Sequence, residues 1–207
     1  MERFWDRTAA GRDLAGHLAH HRDPVVAAVP PGGVVVGAAL ARSLGARLVA
    51  LPVRRFGAPD GPNLIVGVAT PDGDAFVDGE ITGRLGLVVA DLSEQADRAA
   101  AVVQTTMATL GVSQPDVAGR DVVLVDEGAA SGLHIRAAIG YLRRRGAARV
   151  TCALPVAPPS TIDLIASEAD EVVCLVQPLR FGALDAWYER FPTVGEDDVR
   201  RLLDGAG

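Results

Sequence analysis

The segment that decides the fold runs from Val122 to His134 and reads VVLVDEGAASGLH. It starts with four apolar residues, Val122–Val125, and continues directly into two carboxylates, Asp126 and Glu127. A short continuous apolar run is typical of a strand buried on both faces of a parallel sheet. In open sheets of this kind, ligands bind beyond the carboxyl ends of the strands. The segment therefore predicts a central strand that carries an acid pair to a ligand site.

The residues after the acid pair favour the binding of an anion. Most of them are small, and they comprise Gly128, Ala129, Ala130, Ser131 and Gly132, followed by Leu133 and His134. A loop without bulky side chains lets backbone N–H groups approach a ligand, and a helix beginning near Leu133 adds the positive end of its dipole. Beside such a loop, carboxylates that accept hydrogen bonds from sugar hydroxyls would suit a ribose 5-phosphate. An ordinary strand–helix loop with a carboxylate cap is the alternative interpretation.

The rest of the chain alternates between strand and helix periodicity. Strands are predicted over residues 25–29, 47–53, 121–125, 149–156 and 171–176, and helices over 7–21, 34–45, 93–110, 133–145, 161–167 and 195–204. A turn signal at Pro71-Asp72-Gly73 predicts a hairpin of residues 65–70 and 74–78, and residues 177–187 are expected to form a loop. This alternation predicts an α/β fold: a Rossmann-like parallel sheet of about five strands, flanked by helices, with a β-hairpin insertion. Residues 1–207 are predicted to form a single domain.

The composition argues against several classes of function. A net charge of −6 and a pI near 5.2 are unlike those of a general nucleic-acid binder. All 20 basic residues are arginine, which excludes a Walker-type phosphate loop and a Schiff-base lysine. No G-x-G-x-x-G pattern follows a predicted strand, which argues against a dinucleotide-dependent oxidoreductase.

The chain also lacks signals for membrane insertion and metal binding. Its first residues contain no signal-peptide core, and its most apolar window, residues 25–41, is interrupted by Pro30-Pro31-Gly32-Gly33, so a cytoplasmic location is expected. The two cysteines, Cys152 and Cys174, form no C-x-x-C pair and are expected to be buried apolar residues. The histidines at positions 17, 20 and 21 are expected to be solvated at a helix end, so no Cys/His metal site is predicted.

The segment Val122–His134 resembles the motif by which type I phosphoribosyltransferases bind 5-phosphoribosyl 1-pyrophosphate (PRPP). In that motif an apolar strand leads to two acids and then to an Ala-Thr-Gly-x-Thr phosphate loop. Residues 28–69, together with ALPVAPP (153–159), ADEVVCL (169–175) and FGALDAWYERF (181–191), are similar to a bacterial subgroup of phosphoribosyltransferase domains. The resemblance covers nearly the whole chain and implies that family's fold, including a small hood from the C-terminal segment.

The resemblance implies a reaction in which Mg²⁺-bound PRPP loses pyrophosphate at its anomeric carbon. Asp126 and Glu127, which match the family's acid pair, would bind the ribose hydroxyls and act in catalysis. The Mg²⁺ would be carried by PRPP near these two carboxylates, without a direct protein ligand. Residues Gly128 to His134 would hold the 5-phosphate. His134 stands where the family has threonine or serine, and its imidazole would either donate to the phosphate or point to solvent.

A pyrophosphate site is implied on the other side of the ligand. Pro31, Gly32 and Gly33 match the family's pyrophosphate loop, and Arg54 and Arg55 would clamp the diphosphate from the end of the second strand. Pro31 replaces an arginine that is common in the subgroup, which removes a cation and a backbone donor, so weaker pyrophosphate binding is expected.

Two further elements of the family are matched by position. Its mobile catalytic loop, which is usually basic, corresponds to residues 102–120, where no basic residue precedes Arg120. The aromatic residues Phe181 and Trp187 lie where the family builds its hood, so they would either cover the base or pack the C-terminal segment onto the core.

Two functions are compatible with these residues. The first is a phosphoribosyltransferase that uses Mg²⁺ and moves the 5-phosphoribosyl group from PRPP to an unidentified base or related acceptor. The second is a catalytically weakened PRPP- or nucleotide-binding sensor or regulatory protein, which the changes at Pro31 and His134 and the basic-poor loop would favour. Neither involves nucleic acid or a membrane, and a homodimer is one assembly that the family uses.

Overall fold

The computed structural model describes residues 3–205. Its helices are α1 (Arg7–Leu18), α2 (Gly32–Leu44), α3 (Gly79–Leu85), α4 (Ser93–Leu110), α5 (Leu133–Arg144), α6 (Pro159–Ala166) and α7 (Glu196–Asp204). Its strands are β1 (Val25–Ala28), β2 (Arg47–Ala50), β3 (Arg54–Ala58), β4 (Gly61–Ala69), β5 (Ala75–Val77), β6 (Asp121–Val125), β7 (Arg149–Val156) and β8 (Glu171–Val176). There are also two short 3₁₀ helices, Val89–Leu92 and Leu184–Trp187.

Five strands form a parallel sheet in the order β2-β1-β6-β7-β8, which confirms the predicted sheet. β1 lies between β2 and β6, so Val25 is in register with Arg47 on one side and Val122 on the other. The strand order reverses at the boundary between β1 and β6, and such a switch point leaves a crevice beyond the carboxyl ends of the two strands. The loops after β1 and after β6 therefore open into the same crevice.

Helices cover both faces of this sheet, which explains why its strands are continuously apolar. Successive side chains of a strand point to opposite faces. Leu124 packs in a buried cluster with Ile135 of α5, whereas its neighbour Val123 packs with Leu14 of α1 and Leu40 of α2. With both faces buried, a polar residue inside β6 would lose its hydration on either side.

A second, antiparallel sheet of β3, β4 and β5 packs against α4. β4 and β5 form the predicted hairpin, but β3 and α3 were not predicted. The strand expected over residues 47–53 ends at Ala50, because Pro52 has no N–H to donate to a ladder. Arg54 and Arg55 therefore belong to β3 and not to the end of the second strand, which corrects their expected position.

Residues 102–120 do not form a mobile loop at the crevice, so that match to the family was wrong. The residues up to Leu110 continue α4, and the N–H of Gly119 donates to the carbonyl of Gly146, 2.8 Å away, just before β7. The remaining loop runs from the end of α4 to the amino ends of β6 and β7, so its last residues lie at the opposite edge of the sheet from the crevice. Its lack of basic residues consequently carries no argument about phosphate binding.

The histidines near the end of α1 differ from one another in exposure. His17 and His20 are exposed, as expected, but the side chain of His21 is only 2% exposed. Its Nδ1 lies 2.8 Å from the Oδ2 of Asp121, the first residue of β6. The expectation that His21 is solvated was wrong, because a contact 100 residues away in sequence draws it into the protein.

The remaining predictions concern the cysteines, the C-terminal segment and the membrane. Cys152 is buried in β7 and Cys174 is half-buried in β8, both as free thiols. The predicted loop after β8 ends in the 3₁₀ helix Leu184–Trp187, and the predicted terminal helix is α7. Within residues 3–205, none of the helices combines the length and the apolar character needed to cross a membrane.

Candidate functional site

A cleft of about 760 Å³ lies at the carboxyl edge of the parallel sheet. Five segments line it: the loop after β1, the loop after β6 with the first turn of α5, the start of β3, Ile65 of β4, and the C-terminal segment around Phe181 and Leu184. The cleft therefore coincides with the switch point between β1 and β6, where ligands bind in open α/β sheets.

Asp126 lies at the floor of the cleft with most of its surface buried. Its Oδ1 accepts the N–H of Glu127 at 2.8 Å, and its Oδ2 lies 2.8 Å from Nε2 of His134. Because an ionised carboxylate has no proton to give, Nε2 of His134 is the donor. A Cβ on Gly33 would lie 2.7 Å from Oδ1 of Asp126, so only glycine fits above this carboxylate.

Glu127 is held by a buried arginine that the sequence analysis missed. Arg7, in the first turn of α1, has a side chain only 7% exposed and forms an ion pair with Glu127. Its Nη1 donates to the carbonyl of Pro192 at 2.8 Å, and its guanidinium carbon lies 3.6 Å from the centroid of the Phe191 ring. Nothing in the sequence near Arg7 signals this pairing, because its partner stands 120 positions away.

Burial raises the pKa of Glu127 above its ordinary value, an effect that Arg7 opposes and the charge of Asp126 reinforces. The backbone of the same residue is fixed by Tyr188, whose hydroxyl donates to the Glu127 carbonyl at 2.5 Å. A Cβ on Gly32 would overlap the Glu127 carboxylate, so the glycine of the first loop packs directly on the acid of the second. The loop after β1 and the loop after β6 are thus packed directly against each other.

The loop after the acid pair is tied to the sheet and to α6. The N–H of Ala129 donates to the carbonyl of Val156 at 3.0 Å, and the Thr161 hydroxyl donates to the carbonyl of Ala130 at 2.6 Å. Gly132 has a φ of 69°, a left-handed conformation that favours glycine. It directs the chain into α5, whose first N–H groups have no intrahelical acceptor.

The residues of this loop face different ways. Ala130 and Ser131 are exposed, and Gly128, Ala130 and His134 line the cleft. Leu133 points away and packs in a buried cluster with Val68 of β4. The loop therefore presents backbone and small side chains to the cleft, with Leu133 as its anchor.

The other wall of the cleft is cationic. Arg54 and Arg55, at the start of β3, are exposed and line the cleft, and among residues 3–205 neither forms an ion pair. Pro31 and Gly32 complete this wall at the start of α2, where the peptide between Pro30 and Pro31 is cis. Two free guanidinium groups thus lie in the same cleft as two carboxylates.

The two aromatic residues of the expected hood differ in position. Phe181 lines the cleft, with Leu184 beside it. Trp187 is 4% exposed and lies behind Phe181, where its Nε1 donates to the Phe181 carbonyl at 2.8 Å. Trp187 is therefore placed to support the segment, whereas Phe181 is accessible to a ligand.

A model of the phosphoribosyl transferase domain matches residues 7–183 of the chain. A curated protein of Mycobacterium tuberculosis H37Rv, "Putative phosphoribosyl transferase Rv0571c", is 34% identical over 210 residues, which covers 100% of this chain and 47% of that protein. The chain thus spans about half the length of the curated relatives that it matches.

Among solved structures, TT1426 from Thermus thermophilus is 35% identical, with a TM-score of 0.85 over 97% of both chains. A purine phosphoribosyltransferase from Pyrococcus horikoshii is 16% identical, with a TM-score of 0.52 over 92% of this chain and 93% of that one. The second likeness is one of fold alone.

Proposed function

The chain belongs to the phosphoribosyl transferase domain family, and on that premise we propose that it transfers the 5-phosphoribosyl group of PRPP to a nitrogenous base or related acceptor, with release of pyrophosphate. The observation that carries the proposal is the composition of the cleft. A single cavity is lined by an acid pair, by a small-residue loop at a helix N-terminus and by two arginines that form no ion pair within residues 3–205. These groups match the hydroxyls, the 5-phosphate and the diphosphate of one PRPP molecule.

In this proposal the ribose 5-phosphate binds along the loop after β6. Asp126 and Glu127 accept hydrogen bonds from the ribose hydroxyls, and the N–H groups from Ser131 to His134 hold the 5-phosphate at the positive end of α5. Asp126 is already hydrogen-bonded to His134, so the ribose and the imidazole share this carboxylate.

The diphosphate lies against the opposite wall. Arg54 and Arg55 form charge-assisted hydrogen bonds to its oxygens, and the Gly32–Gly33 backbone lets it approach the start of α2. A Mg²⁺ ion carried by PRPP would lie near the carboxylates of Asp126 and Glu127 and would neutralise part of the charge of the diphosphate. Pro31 contributes no N–H at this wall, which weakens the binding of the pyrophosphate leaving group.

The reaction breaks the bond from the anomeric carbon to the pyrophosphate oxygen, and the electron pair leaves with pyrophosphate. A bond from the acceptor nitrogen to the same carbon replaces it, and the proton on that nitrogen leaves to water, while Phe181 offers a face for stacking of the acceptor. The ribose ring becomes cationic in between, and the negative charges of Asp126 and Glu127 stabilise that charge. Positioning and electrostatics therefore supply the catalysis, and no side chain acts as nucleophile.

A PRPP- or nucleotide-binding sensor with weakened catalysis is the second candidate. Two observations favour it: Pro31 lacks a donor at the pyrophosphate wall, and both carboxylates already have a basic partner in Arg7 or His134. A protein of this kind would bind PRPP without efficient release of pyrophosphate.

The proposal is tested first by calorimetry with Mg²⁺ and PRPP at neutral pH. We expect binding by the natural sequence, a large loss for Asp126→Asn, and no change for Asp163→Asn on the surface of α6 as a matched control. Absence of binding of PRPP, ribose 5-phosphate and nucleotides would overturn both candidates. Pyrophosphate release across a panel of purines and pyrimidines then separates them, since binding without release by any acceptor identifies the sensor.

A further inference from the structure

A cluster of histidine and carboxylate side chains lies at the amino edge of the parallel sheet, opposite the cleft. His20 and His21 follow α1, Asp121 begins β6, and Glu171 begins β8. Nitrogen atoms of both histidines and a carboxylate oxygen of Glu171 lie within 4.8 Å of one another. This cluster plays no part in the proposed transfer reaction, because β6 separates Asp121 from Asp126 by about 16 Å at a strand rise of about 3.3 Å per residue.

His21 is oriented with one nitrogen free. Its Nδ1 lies 2.8 Å from Oδ2 of Asp121, so Nδ1 carries the proton and donates to the carboxylate. In a neutral imidazole, Nε2 then has a lone pair. That atom is buried and has no hydrogen-bond partner among residues 3–205, although Oε2 of Glu171 lies 3.7 Å from it. A lone pair that faces a carboxylate oxygen in a buried position is unfavourable, and a cation near both atoms would stabilise the arrangement.

His20 directs a second nitrogen at the same oxygen. Its Nε2 lies 3.2 Å from Oε2 of Glu171, and the rings of His20 and His21 are 4.3 Å apart. Around a tetrahedral Zn²⁺ with bonds of about 2.0–2.2 Å, neighbouring donor atoms lie about 3.3–3.5 Å apart. The observed separations of 3.2 and 3.7 Å from Glu171 agree with that spacing to within a few tenths of an ångström.

We infer that His20, His21 and Glu171 bind a divalent transition-metal ion, of which Zn²⁺ fits the donor set best. Two imidazole nitrogens and one carboxylate oxygen form a common zinc ligand set, and water completes the coordination. Asp121 positions His21 through Nδ1, which is the usual outer partner of a histidine that binds metal. The ion would join the end of α1 to the first residues of β6 and β8.

Arg149 is the competing cation at this site. Its Nη2 donates to Oε2 of Glu171 at 2.7 Å, but its side chain is 47% exposed and can swing into solvent. Metal binding therefore requires only that Arg149 moves aside.

The test is calorimetry with Zn²⁺ alone on the full chain, purified without a histidine tag and stripped of metal. We expect one Zn²⁺ per chain, and affinity reduced at least about tenfold in His20→Ala and in Glu171→Gln, with a reduction of about 10- to 100-fold in Asp121→Asn. Arg149→Gln should bind Zn²⁺ about two- to fivefold more tightly, because it removes the competing ion pair. General damage to the fold would weaken Zn²⁺ binding, so tighter binding by Arg149→Gln would be an effect of the site itself.

The chain has four histidines, so the other two serve as matched controls. His17→Ala and His134→Gln should bind Zn²⁺ as the natural sequence does. Lack of Zn²⁺ binding, or equal affinity in His20→Ala, Glu171→Gln and the natural sequence, overturns the inference. Because the side chain of His20 is 54% exposed, His20→Ala should keep the thermal unfolding temperature of the metal-free protein, which separates loss of a ligand from loss of fold.

Discussion

His134 donates a hydrogen bond to Asp126 across the loop that joins them, with Nε2 lying 2.8 Å from Oδ2. Both side chains are only 12% exposed, and Nδ1 of His134 is buried without a partner among residues 3–205. The sequence left two positions open for this imidazole, at a phosphate or in solvent. It occupies a third, against the acid that would bind ribose.

The first prediction concerns this histidine. His134→Thr frees Asp126 for the ribose hydroxyls and adds a hydroxyl at the phosphate loop, so we expect PRPP to bind about two- to tenfold more tightly. Calorimetry at neutral pH measures the affinity of both proteins.

His17→Thr, on the exposed side of α1, is the matched control and should leave PRPP affinity unchanged. Equal PRPP affinity for His134→Thr and the natural sequence would show that the imidazole does not influence the ribose site.

The second prediction follows from the raised pKa of Glu127, for which burial is the largest cause. A carboxyl whose pKa is raised in the folded state binds its proton more tightly there than in the unfolded chain. Its contribution to stability is therefore greatest at low pH and is lost as the pH rises from the ordinary glutamate range, about 4.3, through the raised value. Relative to Glu127→Gln, the natural sequence should thus lose unfolding free energy as the pH rises from about 4 through the raised pKa of Glu127.

Urea unfolding of the two proteins across that range measures the difference. Glu94→Gln is the matched control, since Glu94 is exposed on α4 and pairs only with Arg98 among the residues that the structure describes. A constant difference between Glu127→Gln and the natural sequence at all pH values would contradict the raised pKa.

The sheet and the acid pair could be predicted because their signals are local. Burial on both faces makes Val122–Val125 continuously apolar, and small residues follow wherever a backbone must approach a ligand. The start of β3 was missed because Arg54 directly follows the run of residues 47–53, with no turn signal between them. Pro52 could have shown that the hydrogen-bonded ladder of β2 ends before this point.

Contacts between distant parts of the chain left no such signal. Arg7 stands 120 positions from Glu127, and His21 stands 100 positions from Asp121. In both cases a charged or polar residue near α1 is buried by a partner that only the folded topology brings close. The spacing of His17 and His21, four residues apart, was a local hint of metal chemistry, but the cluster uses His20 in place of His17.

The third prediction tests the close packing of the two loops. A Cβ on Gly33 would lie 2.7 Å from Oδ1 of Asp126 and 3.0 Å from its Cα, so Gly33→Ala must displace the acid pair. We expect a loss of stability of about 1–3 kcal/mol and at least about tenfold weaker PRPP binding. Gly16→Ala is the control: a Cβ there meets no atom within 4 Å, so this helical position should gain about 0.5–1 kcal/mol and keep its affinity. Equal affinity in both variants would place the ligand away from Asp126.

The last prediction separates the two walls of the cleft. If Arg54 and Arg55 bind the diphosphate and the loop after β6 binds the 5-phosphate, replacing the arginines should affect only ligands that carry a diphosphate. We expect Arg54→Gln and Arg55→Gln each to weaken PRPP binding about 10- to 100-fold, the value of a charge-assisted hydrogen bond, and to leave ribose 5-phosphate binding nearly unchanged. Arg84→Gln, an exposed arginine of α3 paired with Glu80, should change neither. Pro31 supplies neither a cation nor a backbone donor at this wall, so these two arginines are the main cations available to the leaving group. Equal losses for both ligands would mean that the arginines act on the ribose 5-phosphate instead.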